Sequence, residues 1–173
     1  MRALVVYESM FGNTQDVARA IAEGLGDRYE VTLQEVGHAP RSVDPTVALL
    51  VVGGPTHAFG MSRNTTRASA EEQAEEPLVS VGEGLREWLA HLEVTPDLPA
   101  ATFDTKADQP WLPGSAANAA ARRLRGHGCR LVARPASFLV SGVQGPLVDG
   151  ELDRAREFGR SLGAAPHAVV AEH

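Results

Sequence analysis

The chain has 173 residues, of which 43% are hydrophobic and 22% charged, and its formal net charge is −6. That length fits one domain with one core, the composition is ordinary for a globular protein, and the negative charge argues against a nucleic-acid partner, whose phosphates it would repel. No apolar run is long enough to cross a bilayer, the single cysteine rules out an internal disulfide, and no Cys/His cluster has zinc spacing.

Along the chain, Ala3 to Tyr7 is a short apolar run bounded by a polar loop, the pattern of a strand buried on both faces. The N-terminus enters this strand directly and lacks the small-residue cleavage site of a signal peptide, so a cytoplasmic protein is expected. From Asn13 the period changes. Val17, Ile21 and Leu25 recur every fourth residue with Ala18 and Ala22 beside them, which predicts a helix stopped by Gly26. Tyr29, Val31 and Leu33 alternate with Glu30, Thr32 and Gln34, as in an edge strand with one wet face. Residues 38–45 are loop-like, with prolines at 40 and 45. Val47 to Val52 contains no polar residue and predicts a central strand.

Residues 55–80 show little apolar periodicity, and so long a connection is expected to be functional or disordered. Leu85, Trp88, Leu89 and Leu92 then fit a helix, which makes Trp88 a core residue. Residues 100–105 form a weaker strand pattern. Residues 115–125 form an alanine-rich helix with Arg122, Arg123 and Arg125 at its negative end and Gly126 as its cap. Cys129 to Ala133 and Ala136 to Val140 read as one edge strand interrupted by Pro135, with Cys129 a small buried hydrophobe at its start. Asp149 is placed to cap a last helix carrying Leu152, Ala155, Phe158 and Leu162. Residues 164–173 are expected to form a loose tail, leaving one domain over 1–163. The order β-α-β-β-α-β-α-β-α, with the helix after the second strand short or missing, demands a doubly wound α/β domain with a largely parallel sheet and helices on both faces.

Chemistry concentrates in Ser9-Met10-Phe11-Gly12-Asn13-Thr14, which joins the first strand to the first helix. Backbone N–H groups at a helix start have no internal partner, and with the helix dipole they form an anion site. Gly12 lets the backbone curl close to a ligand, and the Ser9 and Thr14 hydroxyls can add donors. Capping of the helix by Asn13 or Ser9 is the competing use of the same loop. The loop has no lysine, as a P-loop requires, and only one glycine where a dinucleotide fingerprint has three. The third strand ends Val52-Gly53-Gly54, which leaves no phospho-acceptor aspartate. No Ser-His-Asp, HExxH or GxSxG arrangement supports a hydrolase. A neutral loop that holds a phosphate ester, without phosphoryl transfer, survives this elimination.

Ser9, Gly12 and Thr14, placed after the first strand, resemble the phosphate loop of the flavodoxin family, Thr/Ser-x-x-Gly-x-Thr; Phe11 stands where a threonine is frequent and removes one possible phosphate ligand. The resemblance implies a five-stranded parallel sheet in the order 2-1-3-4-5 and non-covalent FMN at the switch between strands one and three. It further implies that the loops after strands three and four, Gly54 to Met61 and Asp104 to Trp111, flank the isoalloxazine ring. Pro55, Thr56, His57, Ala58, Phe59 and Gly60 in the first loop, and Thr105, Asp108 and Trp111 in the second, are the implied cofactor contacts. His57, Phe59 and Trp111 are the implied ring-facing side chains. Ala58 and Gly60 are small enough to make a backbone flip beside the flavin cheap, and replacing Gly60 with valine is expected to shift the flavin potential. Lys106 is expected to face solvent rather than neutralise a reduced flavin.

Electron transfer is the implied activity, with an FMN-dependent NAD(P)H:quinone-type reductase and a cofactor-less interaction domain as alternatives. Glu71, Glu72, Glu75 and Glu76 follow the first ring loop, and such a carboxylate group can draw in a basic redox partner within about 8 Å in physiological salt.

Overall fold

The structure, a computed structural model, describes residues 1–57, 60–109 and 113–164. Its elements are β1 (Arg2–Tyr7), α1 (Asn13–Leu25), β2 (Glu30–Glu35), β3 (Val47–Pro55), α2 (Asn64–Gln73), α3 (Leu85–Ala90), β4 (Pro99–Ala107), α4 (Ala116–Gly126), β5 (Arg130–Leu131), β6 (Ala136–Val140) and α5 (Glu151–Ala164). A single 3₁₀ turn, Val36–His38, replaces a helix between β2 and β3. The strands are parallel in the order β2-β1-β3-β4-β5, and β6 pairs with β4 beyond β5. The segment interrupted by Pro135 is therefore two short strands on the same edge of β4, because proline has no N–H for the ladder.

Continuous apolar runs are explained by helices on both sides. Leu4 and Val6 of β1 and Leu50 and Val52 of β3 face α3 and α4, where Leu85, Trp88, Leu89 and Leu124 cover them. Ala3, Val5 and Tyr7 of β1, with Leu49 and Val51 of β3, face the opposite way, under Val17, Ile21 and Leu25 of α1 and Ala155 and Leu162 of α5. Trp88 is 1% exposed, as its helical spacing predicts, and its ring N–H donates to the Pro40 carbonyl at 3.2 Å. Cys129 is a free, buried thiol whose pKa is pushed up to about 11 by burial. α1 and α5 cross closely at two glycines. A Cβ on Gly24 would lie 2.1 Å from the Arg156 carbonyl oxygen, and one on Gly159 2.2 Å from that of Ile21.

Two helices differ from the sequence reading. The 55–80 connection contains α2, which the apolar pattern misses because this helix buries only Arg67 and Ala70. The last helix opens at Glu151 after Gly150, so Asp149 does not cap it; the Gly150 carbonyl accepts the Arg154 N–H instead, at 3.0 Å. No helix among the described residues is long and apolar enough to cross a membrane.

Candidate functional site

The chain leaves β1 at the carboxyl edge of the sheet, beside the end of β3, where the order of connections reverses. Sheet pairing runs one residue past β1, with the Glu8 N–H donating to the Gly53 carbonyl at 3.0 Å. The turn then ends on Gly12, which sits at the N-cap of α1 with φ +96°, a left-handed conformation that a side chain would strain. No side chain caps α1. The first N–H to find a partner is that of Asp16, on the Gly12 carbonyl at 3.0 Å. The amides of Asn13, Thr14 and Gln15 have no partner among the described residues. Capping by Ser9 or Asn13 does not occur. The Ser9 hydroxyl accepts the Gly12 N–H at 3.2 Å, and the Asn13 carboxamide donates to the Gln144 carbonyl at 3.1 Å. Three orphan amides at a positive helix end are the donor set a phosphate needs.

The Thr14 hydroxyl is less free than its position suggests, since it meets the Thr105 hydroxyl at 2.7 Å. Two hydroxyls share one bond, so the pair keeps one O–H for a ligand. Thr105 thereby ties the end of β4 to the start of α1.

These groups line a cavity of about 360 Å³. Its floor is Ser9, Met10, Phe11, Asn13 and Thr14; one side is Pro55, Thr56 and His57, and another is Thr105, Lys106 and Ala107. Lys106, half-buried, borders this cavity. Thr56 is held on three sides. Its N–H donates to the Thr105 carbonyl at 2.9 Å, its hydroxyl donates to Asp104 at 3.2 Å, and it accepts the Ala116 N–H at 3.0 Å. Asp104, fully buried, also accepts from the Ser115 hydroxyl at 2.5 Å and the Ala117 N–H at 3.0 Å, which anchors the start of α4 beneath the site. His57 and Gly60 exchange two backbone hydrogen bonds, 2.7 and 2.9 Å. Burial, then the charge of Arg67, holds the His57 imidazole below its ordinary pKa and keeps it neutral at pH 7. Asp108 is exposed, contributes its N–H to the Val140 carbonyl, and does not line the cavity. The implied contacts Ala58, Phe59 and Trp111 lie outside the described residues.

Several residues at the site were not legible in sequence. Thr66, Ser69, Ala70 and Gln73 of α2, Val140 at the end of β6, and Gly142 and Val143 after it close the cavity. Ser80, 71 residues from Ser9 in sequence, accepts the Ser9 N–H at 3.0 Å, and the N–H groups of Val79 and Ser80 donate to Met10 and Ser9. Glu8, 0% exposed, accepts from the Ser62 hydroxyl at 2.5 Å and the Leu85 N–H at 2.6 Å. Burial outweighs these bonds and the nearby Arg67 and raises the Glu8 carboxyl above its ordinary pKa. Arg67 continues the network to Ser62, Asn64 and Glu87. A Cβ on Gly84 would collide with Arg67, Glu8 and Ser62 together. Arg86 donates to the Met61 and Ser62 carbonyls, at 2.9 and 3.3 Å, beside Gly60. No apolar periodicity marks these groups; the only signal in the sequence is a polar i, i+3, i+7 spacing at Thr66, Ser69 and Gln73.

The family model described as Flavodoxin matches residues 5–99, more than half of the chain. Similar solved structures include a flavodoxin from the domain Archaea, 19% identical over 94% of this chain and 96% of that chain, with a TM-score of 0.66. Oxidised flavodoxin 1 from Bacillus cereus is 16% identical over 92% and 95%, also at 0.66. A flavodoxin, WrbA-like protein from Agrobacterium tumefaciens is 22% identical over 94% of both chains, at 0.55. At these identities the solved structures speak to the fold alone. No curated protein matches the chain.

Proposed function

Since the chain belongs to the flavodoxin family, we propose that it binds FMN without a covalent bond and passes electrons between redox partners through it. One observation carries the reading: the amides of Asn13, Thr14 and Gln15 have no partner among the described residues, and Asn13 and Thr14 line the cavity between the β1 and β3 ends. The phosphate would take those amides, the Ser9 hydroxyl proton and the free proton of the Thr14–Thr105 pair. This donor set is neutral, which suits a group that must be held and not transferred. Thr56 and His57 would fix the polar edge of the ring, with His57 uncharged at pH 7. FMN would supply the electron chemistry itself.

The test is reconstitution with FMN, FAD and riboflavin, followed by flavin fluorescence. We expect a yellow protein that prefers FMN to riboflavin, because only the phosphate separates the two at this site. A colourless protein that ignores FMN would favour a cofactor-less interaction domain. The basic partner rests on Glu71, Glu72, Glu75 and Glu76, of which Glu71, Glu75 and Glu76 border a second hollow, of about 540 Å³. Electron-transfer rates that do not change with salt would remove it.

A second reading is favoured by one feature. Arg86 adjoins Gly60, and the charges of Arg63, Arg123 and Arg67 act on its guanidinium, offset in part by Glu87. Such a cationic corner beside the implied ring suits the phosphates of a nicotinamide dinucleotide and hence an NAD(P)H-dependent reductase. NADPH oxidation by the FMN-loaded protein alone would select it.

A further inference from the structure

We propose that α2 is a wall of the flavin site and that Ser69 and Gln73 bind the phosphate-bearing tail of the cofactor, with Gln144 latching the helix in place; this rests on the FMN reading above.

The position comes first. Thr66, Ser69, Ala70 and Gln73 are spaced i, i+3, i+4, i+7 and share one helix face, and that face lines the cavity opposite the phosphate loop. The latch then sets the distance. The Gln144 carboxamide donates to the Gln73 carbonyl at 2.8 Å, while the Gln144 carbonyl accepts from Asn13 at 3.1 Å. The last turn of α2 is therefore two hydrogen bonds from the first residue of α1, where the orphan amides lie. Gly145 makes this approach possible, since a Cβ there would fall 2.6 Å from the Asn13 carboxamide.

The energetics of α2 point the same way. A ten-residue helix is marginal without tertiary packing, and α2 buries only Arg67 and Ala70. It is held at its ends by polar contacts, His57 to Thr66 at 3.1 Å, Arg67 to Ser62 at 2.9 Å and the Gln144 latch. On its cavity face Ala70 is buried, while Ser69 and Gln73 stay exposed.

Hydrogen-bonding capacity selects the residues. The Thr66 hydroxyl is committed, since it accepts the Arg63 N–H at 2.8 Å, donates to the Arg63 carbonyl at 3.0 Å and meets His57. Ser69 accepts only the Gln73 amide, at 3.3 Å, so its own O–H remains available, as do the second amide hydrogen and the carbonyl oxygen of Gln73. Phe11 brings no hydroxyl to the floor of the site. Ser69 and Gln73 supply donors from the opposite wall instead.

The experiment is a fluorescence titration of the full chain and of the Ser69→Ala/Gln73→Ala variant with FMN and with riboflavin. Alanine is the best helix former, so α2 is retained in the variant, and hydrogen exchange at 64–73 checks this. We expect the FMN Kd to rise about tenfold or more, as for lost hydrogen bonds to a charged group, with riboflavin affinity unchanged. Hydrogen exchange at α2 should slow when FMN is added to the parent chain. If the parent binds FMN but the variant matches it, or loses FMN and riboflavin equally, the assignment of Ser69 and Gln73 is overturned and the FMN reading stands. If the parent binds no FMN, both fall.

Discussion

The α1–α5 face and the 56–84 connection hang on the same sheet by opposite physics. α1 and α5 meet through apolar side chains and a crossing close enough that Gly24 and Gly159 have no room for a methyl group. The connection that carries α2 buries Met61 but gives the helix itself only Ala70 as an apolar anchor, and it is tied down by Glu8, Ser62, Arg67, Glu87 and Ser80. Dispersion and burial are indifferent to pH and add up over area, whereas a buried polar network depends on each member being paired. The first region is built to stay shut, and the second to respond to what enters the cavity it borders.

The largest expected effect falls on the apolar region. Gly159→Val places a Cβ against the Ile21 carbonyl, and a loss of about 3 kcal/mol or failure to fold is expected from overpacking, read by urea denaturation. Retained stability would mean that α1 and α5 can slide, and the contrast would lose its rigid half. Next is Arg67→Ala, which strips the partner from Glu87 and removes the charge beside Glu8. We expect about 2 kcal/mol of loss, visible as proteolytic nicking within 62–84 before global unfolding. Nicking and unfolding at the same point would show that the two regions form one cooperative unit.

A finer test uses pH, because each region holds one perturbed carboxylate and the two point in opposite directions. Glu8 has a raised pKa, chiefly from burial, so the folded state holds its proton longer than the unfolded chain does. Its contribution to stability is complete below the ordinary glutamate value and is lost as pH rises through the folded pKa. Glu151 has a lowered pKa, first because Arg154 hydrogen-bonds it, so its contribution is present above the ordinary value and is lost as pH falls through the folded one. Glu8→Gln should therefore gain on the parent as pH rises from acid toward neutral, and Glu151→Gln should lose on it. Parallel profiles for the two variants would contradict the assignment. The smallest effect is that of Ser80→Ala, which leaves the Ser9 N–H without its acceptor at a cost of about 1 kcal/mol; hydrogen exchange at Ser9 would report it.

How far the sequence was legible follows the same division. Periodicity reads burial, so strands and helices that bury an apolar face declared themselves: the uninterrupted run from Val47 to Val52, the stripe at Val17, Ile21 and Leu25, and Trp88 among leucines. The loop from Ser9 to Thr14 was legible because a turn into a helix start has local chemistry, here a glycine flanked by hydroxyls. α2 was not, because its face carries threonine, serine and glutamine and its only buried charged residue is an arginine. Asp149 misled for a related reason, since a capping residue in sequence is only a candidate until the chain fixes which carbonyl opens the helix.

The sequence by itself determined the core strands and apolar helices, the parallel doubly wound sheet and the turn at Gly12 into the first helix, all of which depend on neighbours within a few residues or on burial shared by a whole element. Only the tertiary structure decided which donors remain free in that turn, that Thr14 is shared with Thr105, and that residues 64–73 roof the cavity with Gln144 as their tie to Asn13. Those outcomes depend on hydrogen bonds between residues 71 to 131 positions apart, and a polar side chain carries no local mark of the partner it will meet across the fold.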